Sequence, residues 1–482
     1  MEVPLVEAKF QRKRVVPTWD LFVPELKRAS YIAVPMAVAT VSQYLMRFTS
    51  MMMVGHLSEL QLAGTSITTS ITNVTGFSLL FGMASALETL CGQAYGAGVY
   101  HKLGIFTYAS IISLILACVP ISILWIFMEK LLVLMGQDPL ISAEAGRYAI
   151  WLIPTLFPYA VLQSLIRYLQ SQSKIIPMVI SSVAALCFHL PVCWALVFYF
   201  KLENAGAAIA IGLSYWFNVA LLFWYVNYAA YFEKTRICFS KDVLSSVGEF
   251  FKLAVPSHLQ WWTYEIVILL SGLLPNPQLE TSVLSICLLI ASVHYYVPYS
   301  LGAAASTRVS NELGAGNPEA GKVAVLAAIS ISVAEAMMAS AALFGCRNVV
   351  GYAFSDEIEV VKYLNKLSPS ICLVLMLDGL QRVLSGVARG CGWQRLGAYI
   401  NFGAFYFVGI PVAVVLGFVV DLKGSGLWIG LNAGSIVQSV FYGLITSFTN
   451  WEKQAIAARA RVLGAVSSAA EEEDCVDSRS LP

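Results

Sequence analysis

The chain has 482 residues, of which 58% are apolar and only 12% are charged, and its formal net charge is +1. Soluble domains carry about twice that charged fraction, so this composition and a mean hydropathy of +0.72 exclude a globular domain in water, a disordered chain and a collagen. The ten cysteines contain no CxxC pair and the five histidines are dispersed. We therefore expect no metal ion, no cofactor and, without a basic stripe, no nucleic-acid partner.

A hydrophilic segment, residues 1–28, precedes a succession of apolar runs. Each run has about 20 residues, which is enough for a helix to cross ~30 Å of hydrocarbon. The runs lack the two-residue alternation of a barrel strand, so they predict an all-α polytopic membrane protein. The twelve predicted spans lie at 29–54, 66–90, 104–127, 145–169, 176–200, 206–230, 249–273, 282–307, 322–345, 361–388, 396–420 and 425–448.

Lysine and arginine are distributed unequally between the two sets of connecting segments. The set that includes both terminal segments holds most of them, whereas the other set holds Lys130, Lys201, Arg347 and Lys423 and three more at helix edges. The positive-inside rule therefore predicts that both termini are cytoplasmic. The cytoplasmic tail, residues 449–482, ends in an acidic cluster and is expected to be disordered.

The sequence repeats itself at an offset of about 220 residues. The triplet AVP at 33–35 recurs at 254–256, and GQAYGAG at 92–98 aligns with SNELGAG at 310–316. Further matches follow in the same order, which chance explains poorly.

Each repeat contains six spans, an even number, so the two copies cross the membrane in the same sense. The sequence therefore predicts two pseudo-symmetric six-helix lobes, related by an axis along the membrane normal, with a substrate path between them. The predicted N-lobe is 29–230, the cytoplasmic linker 231–248 and the C-lobe 249–448.

Two acidic residues lie deep within predicted spans, Glu265 in the seventh and Asp378 in the tenth. A charge at mid-bilayer costs roughly 2.5–3.5 kcal/mol, and these side chains are too short to snorkel to an interface. We interpret them as carboxyl groups that exchange protons, or bind sodium, during a transport cycle. The alternative is a structural ion pair, for which Arg382 lies one helical turn from Asp378.

Three further charged residues within the predicted spans, Arg47, Glu88 and Glu335, are weaker candidates for a role in transport. Arg47 is expected to snorkel to the outer interface, with a salt bridge to Glu265 as the alternative. Glu88, near the inner end of span two, predicts a hydrogen-bonding role, and Glu335 predicts a structural one.

Several long motifs resemble a known family. The stretches LETLCGQAYGA at 87–97 and RVSNELGAG at 308–316 resemble the multidrug and toxic compound extrusion (MATE) family. LLSGLLPNP at 269–277 and RGCGWQ at 389–394 are similar to its plant branch. The resemblance extends over essentially all twelve spans.

The resemblance implies two six-helix lobes in a V that open alternately to the two sides of the membrane. It implies a proton-coupled antiporter that exports organic cations, secondary metabolites or xenobiotics. In plant relatives the proton site consists of two acids that match Glu265 and Asp378. The chain departs from the family pattern at 256–261, which is about one turn shorter, at Gln260, where an acid is common, and at Arg47, where relatives are uncharged.

We expect the substrate to pack on aromatic walls and to hydrogen-bond to amides, because aromatic faces attract flat or cationic molecules. For each aromatic residue, a place in the core or the interface belt is the alternative. The cleft candidates are Gln43, Gln163, Trp261, Trp262, Tyr264, Gln381, Tyr399, Asn401 and Tyr406. The expected partners are a small-molecule substrate, protons and the lipid bilayer, and the protein is expected to be a monomer.

Two other functions are alternatives to this one. A flippase for lipid-linked oligosaccharides of related architecture needs a more cationic cleft to hold a pyrophosphate. An intramembrane aspartyl protease needs two facing aspartates, and Asp378 has none, so we predict that the protein is not an enzyme. The sequence leaves open whether the protein lies in the plasma membrane or the vacuolar membrane.

Overall fold

The computed structural model describes residues 19–235, 241–254, 270, 273–354 and 357–463. In this part of the chain, eleven helices are long and apolar enough to cross a membrane. In order, the main helices are α1 (Trp19–Gly55), α2 (Glu59–Gly96), α3 (His101–Ile126), α4 (Pro139–Ser171), α5 (Ile176–Tyr199), α6 (Glu203–Tyr228), α7 (Lys241–Ala254), α8 (Pro277–Ala315), α9 (Pro318–Gly345), α10 (Ile358–Cys391), α11 (Gln394–Val419), α12 (Lys423–Phe448) and α13 (451–463).

The all-helical polytopic fold with two pseudo-symmetric lobes is confirmed. Eleven of the twelve predicted spans coincide with helices, and the seventh, 249–273, lies mostly outside the described residues. Most helices extend several residues beyond the predicted runs, because a helix continues into the interfacial region where polar residues are tolerated. The largest difference between a predicted and an observed start is at the first helix, because α1 begins about ten residues before the predicted start. We call α1–α6 the N-lobe and α8–α12 the C-lobe.

Local sequence explains where two of the helices begin. The Ser58 hydroxyl accepts a hydrogen bond from the Gln61 amide at 3.2 Å and caps α2. The Asp138 carboxylate accepts from the Leu140 amide at 2.9 Å, and Pro139 occupies the first position of α4, where its missing amide donor costs nothing.

The two lobes meet closely at one end of the bundle, which we call the closed end. The Cβ that an alanine would add at Gly96 lies 2.0 Å from the Asn311 carbonyl oxygen, and one at Gly314 lies 2.2 Å from the Gln93 carbonyl oxygen. Gln93 Nε2 donates to the Gly390 carbonyl at 3.0 Å. These positions belong to the repeated 92–98 and 310–316 motifs, so each copy packs against the other as in a two-fold interface.

The tail that was predicted to be disordered contains α13, which packs across the closed end. Its buried residues Trp451, Ala455, Ala458 and Val462 recur at helical spacing, so that one face is apolar. Lys102 at the start of α3 donates to the Val462 carbonyl at 2.8 Å. The helix also contacts the C-lobe through a hydrogen bond from Trp393 Nε1 to Gln454 Oε1 at 3.2 Å. Burial at this surface lowers the pKa of the Arg461 side chain.

Within the C-lobe, α8 and α10 approach each other at glycines. A Cβ built on Gly386 lies 2.0 Å from the Gly302 carbonyl oxygen, and one on Gly302 lies 2.4 Å from the Arg382 carbonyl oxygen. Backbone is in contact with backbone here, which is how small residues let membrane helices pack closely. This contact determines where the charged side chains of α10 lie relative to α8.

We predict that Gly386→Ala destabilises the protein by about 1–3 kcal/mol, because the added methyl group meets a carbonyl that cannot move aside without displacing α8. Gly443→Ala in α12 is the control, since a Cβ there has no neighbour within 4 Å. Thermal unfolding of the purified proteins in detergent measures the difference. Equal midpoints for the two variants would contradict the packing described for α8 and α10.

Candidate functional site

A cavity of about 440 Å³ lies between the lobes. Its walls come from α1, α2, α4 and α6 of the N-lobe and from α8 and α10 of the C-lobe. The cavity extends from Asp378, midway along α10, to Met51, one turn before the C-terminal end of α1. We call the end of the bundle at which α1 ends, opposite the closed end, the open end. The volume falls within the range of sites that hold drug-sized molecules.

Aromatic rings form much of the cavity wall. On the N-lobe side, the rings of Phe77 and Tyr159 meet edge to face with centroids 5.0 Å apart. The rings of Tyr44 in α1 and Tyr296 in α8 lie 4.9 Å apart and connect the two lobes. Such a wall suits a flat organic molecule, which buries apolar area against the ring faces. The other aromatic residues lining the cavity are Phe48, Phe81, Tyr215, Tyr295 and Tyr299.

Asp378 lines this cavity and forms an ion pair with Arg382. Arg382 Nε donates to Asp378 Oδ1 at 3.0 Å, and both side chains are about one-tenth exposed. The Arg382 guanidinium lies 4.6 Å from the centroid of the Tyr295 ring. The carboxyl group is therefore paired and also in contact with the cavity, so a proton that enters the cavity can reach it. A purely structural pair sealed inside the protein would lack that access.

Two predicted glutamines also line the cavity. Gln43 Nε2 donates to the Ser182 hydroxyl at 3.3 Å. Gln163 is buried, and its Oε1 has no hydrogen-bond partner among the residues that the structure describes. A buried amide oxygen without a partner is costly, so Gln163 is available to accept a hydrogen bond from a substrate or a water.

Four other predicted residues lie away from the main cavity. Gln381 is buried, and its Nε2 donates to Gln438 Oε1. Gln438 in turn donates to Asn401 Oδ1. Asn401 lines a smaller cavity near the closed end. Tyr399 is 74% exposed on the outside of α11, and Tyr406 stacks on Phe402 with centroids 4.9 Å apart. These two tyrosines line neither cavity. The remaining predicted residues, Glu265, Trp261, Trp262 and Tyr264, lie outside the described residues.

The prediction that Arg47 snorkels to the outer interface is wrong. Its side chain lies in the cavity wall, where Nη1 donates to Asn73 Oδ1 at 3.3 Å. The guanidinium lies 5.8 Å from the centroid of the Phe77 ring. The guanidinium donates to Asn73 and lies over the Phe77 ring, so the side chain ends inside the protein and does not extend to the membrane interface.

The smaller cavity, of about 80 Å³, contains a charged bridge between the lobes. The Glu88 carboxylate is 1% exposed and lies 3.1 Å from Arg167 Nε of the N-lobe and 2.9 Å from Arg389 Nε of the C-lobe. A second bridge joins Glu25 of α1 to Arg308 of α8, with Nη2 to Oε2 at 3.0 Å. At the first bridge, the Glu88 carboxylate and the two guanidinium groups are buried or nearly buried charges, and they hold the closed end together.

Most residues of the aromatic wall are not among the cleft candidates that the sequence predicts. Tyr295, Tyr296 and Tyr299 follow one another at helical spacing in the middle of an apolar span, beside Pro298. That concentration of hydroxyl-bearing rings in α8 is the signal that was available. The partners of Glu88 carried no such signal, since Arg389 is some 300 residues away along the chain.

Comparisons with known proteins agree on one family. The MatE family model matches residues 35–195 and 253–415. The chain is 52% identical to Protein DETOXIFICATION 14 of Arabidopsis thaliana, over 92% of this chain and 93% of that protein. It is 50% identical to Protein DETOXIFICATION 3 of the same plant, over 96% and 98%.

The solved structures that match this chain are also MATE transporters. The crystal structure of the eukaryotic MATE transporter AtDTX14 matches with a TM-score of 0.89 at 52% identity, covering 92% of this chain and all of that one. The Vibrio cholerae MATE transporter VcmN in its bent form matches with a TM-score of 0.76 at 17% identity, covering 92% and 99%. The second similarity shows the fold alone.

We predict that Glu88→Gln lowers the free energy of unfolding by about 3–5 kcal/mol, because it leaves two buried guanidinium groups without their counter-charge. Glu319→Gln is the matched control. Its carboxylate forms a comparable 2.7 Å pair with Lys322, but both side chains are at least one-third exposed, so the cost is under about 1 kcal/mol. Thermal unfolding in detergent compares them, and similar losses would refute the bridge.

Proposed function

Since this chain belongs to the MatE family of multidrug and toxic compound extrusion transporters, we propose that it is a proton-coupled antiporter that works by alternating access. The chain is an integral multi-pass membrane protein that transports small molecules, and it is not an enzyme. The proposed cargo comprises organic cations, secondary metabolites or xenobiotics, the classes that the family resemblance implies. The observation that carries the proposal is the paired carboxyl group of Asp378 at the wall of an inter-lobe cavity.

Alternating access is supported by the difference between the two ends of the bundle. The closed end holds the lobes together through the Glu88 bridge and α13, whereas the cavity extends toward the open end. The basic residues concentrate in the segments at the closed end, so we propose that this end and both termini face the cytoplasm. The described conformation is then the outward-facing one, and substrate uptake requires the closed-end contacts to separate.

Proton coupling is assigned to Asp378, with Glu265 as the second acid that the sequence predicts. The ionised Asp378 attracts Arg382 across 3.0 Å, and protonation removes most of that attraction. α10 packs against α8 through backbone contacts, so a change in the position of Arg382 beside Tyr295 alters the packing of the lobe.

The proposal extends to the state of the protein in the membrane. We propose a monomer, because the cavity is completed by the two lobes of one chain and requires no second copy. We propose the plasma membrane or the vacuolar membrane as its location. Either places the acidic compartment on the side toward which the cavity opens, so a proton gradient drives exchange in the same direction.

Asp378→Asn tests the coupling, because asparagine retains the shape but cannot be protonated. In proteoliposomes with an imposed pH gradient, we expect the variant to lose at least tenfold of the pH-driven transport rate. Glu359→Gln in the first turn of the same helix removes an exposed carboxylate and should transport normally.

Three outcomes would count against the proposal. Transport by Asp378→Asn at the normal rate would remove the acid from the mechanism. Transport that responds to a sodium gradient and ignores pH would change the coupling ion. No response to either gradient would exclude secondary transport.

A further inference from the structure

We propose that Arg47 is the recognition residue of the cavity and that the preferred substrate is an aromatic organic anion, such as a ring system that carries a carboxylate or a sulfonate. This inference specifies the substrate class of the proposed transporter, and it therefore rests on the proposed function. It is carried by the position of one guanidinium group, whose surroundings differ from those of the arginines that hold the lobes together.

Four other interior arginines face carboxylates. Arg167 and Arg389 flank Glu88, Arg308 pairs with Glu25, and Arg382 pairs with Asp378. Arg47, in contrast, has no carboxylate within 4 Å among the residues that the structure describes, and its Nε is buried without a hydrogen-bond partner there. A guanidinium presents five donors, and Arg47 uses one of them on Asn73. Unused donors at a cavity wall match a ligand that brings oxygen acceptors.

The charges that line the described part of the cavity sum to a positive value. Asp378 and Arg382 neutralise each other, and Arg47 adds one positive charge that no carboxylate within 4 Å compensates among the residues that the structure describes. In a site surrounded by low-dielectric protein, that charge repels a cation and attracts an anion more strongly than it would in water. Arginine also binds carboxylates and sulfonates through two parallel hydrogen bonds, which gives geometric preference in addition to charge.

The rings around Arg47 complete the site. Phe77 lies beneath the guanidinium, and its ring contacts Tyr159, which in turn lies 5.6 Å from Tyr215. Asn73 and Phe77 are the first and last residues of a π-helical turn in α2, a local irregularity that is common at functional sites. That turn presents both side chains to Arg47. A planar ligand can therefore lie against the rings while its anionic group reaches the guanidinium.

The sign of the charge has a consequence for coupling. Protonation of Asp378 makes the cavity more positive, so it attracts an anion and does not expel it. Proton and substrate then act on different lobes, Asp378 in α10 and Arg47 in α1. Exchange therefore depends on the change in lobe packing and not on competition for one charge. Among the proposed cargo classes, the organic cations are disfavoured.

Binding of three naphthalene probes to the purified full-length protein in detergent tests the proposal. The probes share one ring system and differ in charge: 2-naphthalenesulfonate is anionic, 2-naphthol is neutral and 2-naphthyltrimethylammonium is cationic. We expect the native protein to bind the sulfonate at least tenfold more tightly than the ammonium compound. This comparison requires no variant, so it holds even if a substitution impairs folding.

Substitutions then attribute the preference to one residue. Arg47→Gln should weaken sulfonate binding at least tenfold and leave naphthol binding within about twofold, and Arg47→Lys should retain part of the preference because it keeps the charge without the planar fork. Arg147→Gln, which removes an exposed arginine from α4, is the control and should bind all three probes as the native protein does.

The result that would overturn the inference is a native preference for the cation, or a sulfonate preference that survives Arg47→Gln. A sulfonate affinity that rises in Glu265→Gln would show that Glu265 is the counter-ion of Arg47, and would also overturn it. These readouts are independent of the proton gradient. Failure of Asp378→Asn to alter pH-driven transport would refute the proposed coupling and leave the binding preference intact.

Discussion

The Glu88 carboxylate lies between two guanidinium groups that come from opposite lobes, Arg167 and Arg389, and the architecture of the closed end depends on this contact. Water is absent from the hydrocarbon region, so a charge there must be neutralised by another side chain. By satisfying one arginine from each lobe, a single acid makes the separation of the lobes electrostatically costly. The same contact confines the larger cavity to the other side of the bridge.

The two walls of the larger cavity have different chemistry. Both walls present aromatic rings, but Arg47 lies in the N-lobe wall and the Asp378–Arg382 pair lies in the C-lobe wall. Substrate recognition and proton exchange are thus assigned to separate bodies in the proposed mechanism. Two sites on separate bodies communicate only if the relative position of the bodies differs between states. Within the C-lobe, the glycine contact between α8 and α10 couples a shift of α10 to α8, which also lines the cavity, because it allows almost no local adjustment.

Sequence reasoning succeeded where a residue is unusual for its depth in the membrane. Asp378 is conspicuous because a carboxyl group is rare within an apolar span, and Gln43 and Gln163 because amides are polar in the same setting; all three line the cavity, and their roles stay predictions. It failed at Tyr399, which faces outward, and at Tyr296, which lines the cavity without having been proposed. A span that is apolar on every side has no polar face that would show which way a ring points.

By itself, the sequence determined the order and approximate positions of the eleven spans found in the described residues, the internal repeat, and the identity of an acid too deep to reach an interface. Those features follow from composition along the chain, since bilayer thickness and the cost of buried charge act on each segment separately. The tertiary structure alone decided which charge faces which, as with Glu88 and Arg389, and that Arg47 enters the cavity. Those contacts join positions that lie on different helices, and the rotation of an apolar helix is determined by its neighbours.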